Sequence, residues 1–299
     1  MFLRRHNTSL LVRAPAKLNL FLEVLGKRPD GFHDLETLML KIDLFDDLRF
    51  SPADEISLSA DVTSLPDANR IDPKRFASSE NLILKAARLL QQRTGASRGV
   101  AIHVVKRIPL ESGLAGGSTD AAATLFALNQ LWNLGLSTAE LQKLSAELGS
   151  DIPFFFSPTP SAVCCGRGER VEPLSSSPEF TFVIARPPSG LSTPLVFRNL
   201  KLAGDPVSIN PVRNLWRDRK AMSVAHRLFN RLQATAESLN TDVVNLKEEF
   251  GKLPFVAHQM SGSGTSYFGI CRNRRDARRL ANRLRLRSVG TVFVASSRV

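Results

Sequence analysis

Between Pro109 and Asp120 the chain reads P-L-E-S-G-L-A-G-G-S-T-D, with three glycines and three small residues in a row of eight. A β-type run, Val100 to Lys106, precedes it, and an apolar helical pattern from about Thr119 to Trp132 follows. Strand, glycine-rich turn and helix in that order constrain the local fold strongly. With so little side-chain bulk, backbone N–H groups can close on an anion. Ser118 and Thr119 can cap the helix or hydrogen-bond phosphate oxygens, and the helix N-terminus adds orphan donors and positive partial charge. A tight turn that needs small residues for close packing satisfies the same sequence. No Gly-Lys-Ser or Gly-Lys-Thr follows, and the dinucleotide spacing G-x-G-x-x-G is missing, so neither of those signatures applies.

A second small-residue loop, M-S-G-S-G-T-S from Met260 to Ser266, lies just before a strand. It reads either as a linker or as another set of N–H groups for the same ligand. Leu148 to Pro153 carries Asp151 at a helix exit, directly before three phenylalanines. A carboxylate at such an apolar boundary needs a partner. It is either a capped loop residue or a group that orients a hydroxyl and accepts its proton. Lys17 and Asn19 interrupt an apolar strand pair. Lys17 either snorkels to solvent or pairs with Asp151 and favours its ionised form.

The chain has 299 residues, long for one core, and 43% are apolar. Leu10 to Val24 reads as strands broken at Pro15, Arg28–Gly31 as a turn, and Leu38 to Ser59 as further strands with a bend at Asp46 and Asp47. Asn81 to Arg93 and Thr138 to Leu148 have helical periodicity, the latter with Ser137 as cap. The second half gives a strand at Phe180–Ala185, a proline-rich loop, helices between about Ser223 and Phe250, and a closing strand–helix–strand unit over 267–295. Sheets covered by helices in this mix predict two α+β domains with a cleft between them, residues 1–160 and 161–299.

The net charge is +12 and the pI about 10.2. This favours a polyanionic partner: nucleic acid, a membrane surface or a multiply phosphorylated small molecule. Much of the excess lies in Arg272–Arg287, where Ala277, Leu280, Ala281 and Leu284 share one face of a helix and the arginines form a solvated opposite face. No recognition-helix motif or aromatic stacking array accompanies the charge, and Tyr267 is the single tyrosine. Cys164, Cys165 and Cys271 form neither a disulfide framework nor a zinc spacing, which fits a reduced, cytoplasmic setting. The first twelve residues make a poor signal peptide, and no run is long enough to cross a bilayer.

The stretch A-P-A-K-L-N-L-F-L-E-V-L-G-K-R-P-D-G-F-H-D-L-E-T-L, residues 14–38, closely resembles the N-terminus of the 4-diphosphocytidyl-2-C-methyl-D-erythritol kinase family, within the GHMP kinases. The glycine run, L-G-S-D-I-P-F-F and M-S-G-S-G-T-S resemble the superfamily's phosphate loop, catalytic-aspartate segment and third motif, in the expected order. The resemblance implies an N-terminal ribosomal-protein-S5-domain-2-like domain that binds ATP and a C-terminal ferredoxin-like domain. It implies phosphorylation of the substrate's 2-hydroxyl in non-mevalonate isoprenoid synthesis, with ATP and Mg²⁺ held mainly through the phosphates. Asp151 would be the base and Lys17 its partner. Gly113, Leu114, Ala115, Gly116, Gly117, Ser118 and Thr119 would hold phosphates. Asn19, Phe32, His33 and Thr193 would contact the cytidine diphosphate substrate. The expected partner is that small molecule, not nucleic acid or membrane, for a monomer or homodimer. The alternatives are a GHMP kinase for homoserine, mevalonate or a sugar, and a non-catalytic nucleic-acid-binding protein.

Four features depart from the family pattern: Phe32 for a tyrosine, Ala115 for a glycine, Glu111 with Ser112 ahead of the loop, and Asn230-Arg231-Leu232-Gln233 for an N-D-L-E stretch. Glu111 is expected to face solvent.

Overall fold

The computed structural model describes residues 1–65, 72, 76–175, 177–202 and 204–298. The chain divides into two compact units. One comprises Met1–Ala16, Leu44–Pro109 and Ala115–Phe156, the other Lys17–Asp43, Leu110–Leu114 and Ser157–Val299.

In the first unit, β1 (Phe2–His6) pairs antiparallel with the start of β2 (Ser9–Lys27), Phe2 opposite Arg13. The second half of β3 (His33–Ala53) supplies the next pairing, and β4 (Ile56–Asp61) lies parallel to β5 (Gly99–Val105). β5 in turn runs antiparallel to Asp47–Ala53 of β3. Three helices belong here: α1 (Leu82–Thr94), α2 (Gly116–Leu131) and α3 (Thr138–Ser145). Asn81 caps α1 by accepting from the Ile83 N–H, and Gly95 ends it in the left-handed region. Ser137 and Glu140 close a capping box on α3. α2 is apolar nearly all round, with Ala121, Ala122, Ala123, Leu125, Ala127 and Leu128 buried, as befits a helix inside a core.

Three expectations for this region are corrected. β2 is continuous through Pro15. Its partner β1 ends opposite Arg13, so the missing proline N–H costs no bond to β1. β3 likewise runs unbent through Asp46 and Asp47, because Asp46 is fully buried against a cation. α2 also starts three residues earlier than the apolar pattern suggests, so that Gly116 and Gly117 lie inside its first turn.

In the second unit, β6 (Ser161–Gly166) runs antiparallel to Leu35–Leu40 of β3 and to β7 (Arg170–Pro173). A four-stranded antiparallel sheet is built from β8 (Thr181–Arg186), β10 (Ala257–Met260), β11 (Tyr267–Cys271) and β12 (Thr291–Ser296), in the order β10-β11-β8-β12. The two-residue strand β9 (Phe229–Asn230) pairs parallel with Phe21–Leu22. The helices are α4 (Thr193–Asn199), α5 (Asn210–Arg217), α6 (Ala221–Ala225), α7 (Gln233–Leu239), α8 (Thr241–Gly251) and α9 (Arg274–Arg285). α9 buries Ala277, Leu280, Ala281 and Leu284 and turns its arginines outward, as its periodicity requires. Each leucine contributes about 1.5–3 kcal/mol, against about 0.3–0.5 kcal/mol for its surface Arg279–Asp276 pair, so the apolar stripe holds the helix. Among the described residues no helix is long and apolar enough to cross a membrane.

Candidate active site

The glycine run is shaped by three residues in the left-handed region: Glu111 at φ 48°, Gly113 at 75° and Ala115 at 58°. Only Gly113 adopts this without a steric cost. A Cβ on Gly113 would also sit 2.2 Å from the Ser261 carbonyl oxygen, so that position admits no side chain. Glu111 is exposed, as expected. Ala115 is the N-cap of α2 and offers no side-chain acceptor to the helix. The Thr119 N–H bonds back to the Ala115 carbonyl at 3.0 Å, and the earlier N–H groups of the turn have no acceptor within the helix. Gly117 is exposed and Ser118 half-buried, whereas the Thr119 hydroxyl is buried with no partner. An uncapped N-terminus bearing small residues is suited to an anionic ligand.

The second glycine loop is arranged differently. The Ser261 N–H donates to the Ser266 carbonyl at 2.9 Å and the Gly264 N–H to the Ser261 carbonyl at 3.0 Å. The loop then grips residues 112–114. The Ser266 N–H donates to the Ser112 carbonyl at 3.0 Å, the Ser261 hydroxyl to the Gly113 carbonyl at 3.2 Å, and the Lys17 N–H to the Leu114 carbonyl at 3.1 Å. These bonds tie the loop to the first one, so it is not a free linker, and they occupy the N–H groups of Ser261, Gly264 and Ser266.

Lys17 is buried, and its ammonium donates to Asn19 Oδ1 at 2.5 Å. Asn19 Nδ2 donates to Thr37 Oγ1 at 2.9 Å, and that hydroxyl donates to the Phe21 carbonyl. The chain of donors fixes the amide so that its oxygen faces the lysine. Gly262 lies over both groups: a Cβ there would be 3.2 Å from Asn19 Oδ1 and 3.3 Å from Lys17 Nζ. Thr193, at the start of α4, shares a 2.7 Å hydrogen bond with the Ser263 hydroxyl. The second unit thus gathers Lys17, Asn19, Thr193, residues 112–114 and the second glycine loop into one bonded group. Asp151 and residues 115–119 belong to the first unit. Asp151 is half-buried, ahead of the 3₁₀ turn Pro153–Phe156, whose side chains are all buried.

Phe32 is 49% exposed, with the Arg167 guanidinium 4.6 Å over its ring. His33 stacks on Phe197 of α4 at 5.2 Å and 30°, and burial together with Lys27 holds its imidazole below the usual range. These two rings sit after a turn closed by the Gly31 N–H on the Arg28 carbonyl, with Arg28 forked between Asp30 and Asp34.

Two groups of supporting residues carry no motif of their own. Asn230 Nδ2 donates to the carbonyls of Met260 and Gly262 at 2.9 and 2.8 Å, and Gln233 Oε1 accepts from the Met260 N–H. The altered N-R-L-Q stretch thus anchors the second glycine loop. Arg231 meets buried Glu23 through two 2.7 Å hydrogen bonds. Burial opposes the charge on Glu23, but Arg231 and the Val207 and Val24 N–H groups outweigh it and lower the carboxyl's pKa. Under the first glycine loop lies buried Lys106, which donates to both Asp46 and Asp120. The double acid at 46–47 hints at this second group in the sequence.

The comparisons agree with this architecture. The model for the GHMP kinases N-terminal domain matches residues 81–158, and that for the GHMP kinases C-terminal domain residues 219–288. A 4-diphosphocytidyl-2-C-methyl-D-erythritol kinase of Geobacillus thermodenitrificans (strain NG80-2) is 39% identical over 92% of this chain and 93% of its own length. The Bacillus subtilis (strain 168) protein of the same name is 37% identical over the same shares. A crystal structure of 4-(cytidine 5'-diphospho)-2C-methyl-D-erythritol kinase superposes with a TM-score of 0.78 at 31% identity, over 96% of this chain and 98% of that one. A homoserine kinase from Cytophaga hutchinsonii, at 15% identity and a TM-score of 0.70, shares the fold. With its two glycine loops, its buried lysine and this degree of identity across its length, the chain belongs to the 4-diphosphocytidyl-2-C-methyl-D-erythritol kinase family of GHMP kinases.

Proposed function

We propose that the chain transfers the γ-phosphoryl group of ATP to the 2-hydroxyl of 4-diphosphocytidyl-2-C-methyl-D-erythritol. The observations that support this reading are the bonded group of Lys17, Asn19, residues 112–114 and the second glycine loop, and an α2 N-terminus that has no side-chain cap. Residues 1–160 form the ATP-binding domain and 161–299 the second domain, in a cytoplasmic enzyme acting on small molecules.

Phosphoryl transfer depends on positioning and charge neutralisation. The N–H groups at 113–119 hold the nucleotide phosphates. Asp151 orients the acceptor hydroxyl and takes its proton as the oxygen attacks phosphorus and the bond to ADP breaks. Lys17, whose direction Asn19 fixes, is the charged partner of Asp151 in the reaction and faces the developing charge. Phe32 and His33 hold the cytosine ring, and Thr193 contacts the substrate. Phe32 keeps the stacking face but forgoes a tyrosine's hydroxyl contact. Mg²⁺ would neutralise charge on the phosphates. The phosphates themselves would be its main ligands.

ADP release measured across the cytidyl substrate, homoserine, mevalonate and simple sugars tests the acceptor; preference for any of the last three overturns it. Asp151→Asn should fold normally and lose about 10²- to 10⁴-fold in kcat. Turnover near that of the parent protein would remove Asp151 from the mechanism.

A further inference from the structure

Lys106 follows β5 and leads into the first glycine loop. Its side chain is fully buried, and its ammonium donates to Asp46 on β3 and to Asp120 on α2, the latter at 2.6 Å. Asp46 Oδ1 also accepts the N–H groups of Arg107 and Ile108 at 2.6 and 2.9 Å, which fixes the chain where it leaves the strand. The ammonium lies directly beneath the first residue of α2. A Cβ on Gly116 would be 3.2 Å from Lys106 Nζ and 2.9 Å from Ile108 Cγ2. One cluster therefore ties together both ends of the phosphate loop, the strand exit and the helix start.

Two carboxylates share this single ammonium. Asp120 Oδ1 is buried with no donor, while Asp120 and Asp46 lie close enough to hydrogen-bond if one carries a proton. With both ionised the cluster holds a net charge of −1 under the α2 N-terminus, where it competes with a nucleotide for the same positive helix end. With one proton the cluster is neutral and the helix end is left to the ligand.

We infer that Asp46, Lys106 and Asp120 form a positioning device for the nucleotide phosphates, which holds the α2 N-terminus in its binding geometry and carries one proton, on Asp120, when nucleotide is bound.

Burial, only partly offset by Lys106 and reinforced by Asp46, pushes the Asp120 carboxyl up to about 8. Burial opposes the charge of Lys106, but Asp120 and Asp46 raise its pKa overall, so the ammonium stays charged. The groups that act on Asp120 are these two. On α1, Lys85 pairs with Glu80 and Arg93 with Glu147, while Arg88 is exposed; on α3, Glu140 binds its own cap and Lys143 is exposed. Asp47 faces Arg13 and Arg107.

The inference rests on the proposed phosphate-loop reading and is tested apart from catalysis, by calorimetry of MgADP binding to the full chain between pH 7 and 9.5 in buffers of different ionisation enthalpy. The sign follows from linkage: a proton held more tightly with nucleotide bound means weaker binding as pH rises through about 8. The parent protein should take up as much as about one proton per nucleotide near pH 8.5, and its Kd should rise up to about tenfold. Asp120→Asn keeps a donor to Asp46 and an acceptor for Lys106, so its binding should lose the proton uptake and the pH dependence. In turnover assays the KM for ATP should follow pH while that for the acceptor does not. Binding without proton uptake in the parent protein, or the same uptake in Asp120→Asn, overturns the device and leaves the phosphate loop standing. No MgADP binding at any pH overturns both.

Discussion

The two glycine-rich loops look alike in sequence and are held in different ways. In the loop at 113–119 the backbone is bent through left-handed positions and ends on a helix with no side-chain cap, which leaves the first-turn N–H groups without an acceptor in the helix. In the loop at 260–266 the Ser261 and Gly264 N–H groups bond within the loop, the Ser266 N–H bonds the Ser112 carbonyl, and the Ser261 hydroxyl bonds the Gly113 carbonyl. Their supports differ in the same sense. The first stands on a buried ionic cluster, the second on two neutral amide side chains, Asn230 and Gln233. Small residues permit both arrangements. What separates the two is which groups find partners, and several of those partners are remote in sequence.

Removing each support tests the contrast. Lys106→Met keeps the volume but leaves Asp46 and Asp120 buried without a cation. Breaking such a cluster costs about 3–5 kcal/mol, read from urea unfolding of the variant against the parent. A loss under about 1 kcal/mol would mean that the carboxyls are neutral without the lysine, and the ionic support would be wrongly assigned.

Asn230→Ala removes donors to two carbonyls and the acceptor of the Leu232 N–H. The expected cost is smaller, about 1–3 kcal/mol, because no charge is stranded. Since the second loop grips the first at Ser112 and Gly113, the KM for ATP should rise as well. If stability falls while that KM stays fixed, the second loop is a clamp for its own unit alone.

Much of this was legible in the chain. The alternation and helical spacing placed α1, α9 and the strands of the closing unit because those segments have one buried face and one wet face. The glycine run and Asp151 stood out because each breaks an apolar context. The Lys106 cluster did not, because a lysine at a strand end usually reads as surface and its two carboxylates lie 60 and 14 positions away. The bend expected at Asp46 failed for the same reason: a buried acid reads as a turn until its cation is known. α4 and α5 escaped notice because Pro194 and Pro211 suggest loops, yet proline is suited to a first helical turn and both helices begin that way.

Ala115 gives the finest test of the contrast. It holds φ at 58°, a conformation that costs an alanine about 1–2 kcal/mol. Ala115→Gly releases that strain but frees the unfolded chain by about 0.4–1 kcal/mol, so the net gain in stability should be modest, about 0.5–1 kcal/mol. Because the N–H groups that follow are already directed by Gly113 and by the cluster under Gly116, the Kd for MgADP should change by less than about twofold, under 0.5 kcal/mol. A large gain in affinity would mean that the methyl group itself intrudes on the ligand, and that the cradle is shaped by its cap more than by its supports. A loss of stability would mean that Ala115 is held without strain by contacts that glycine cannot make.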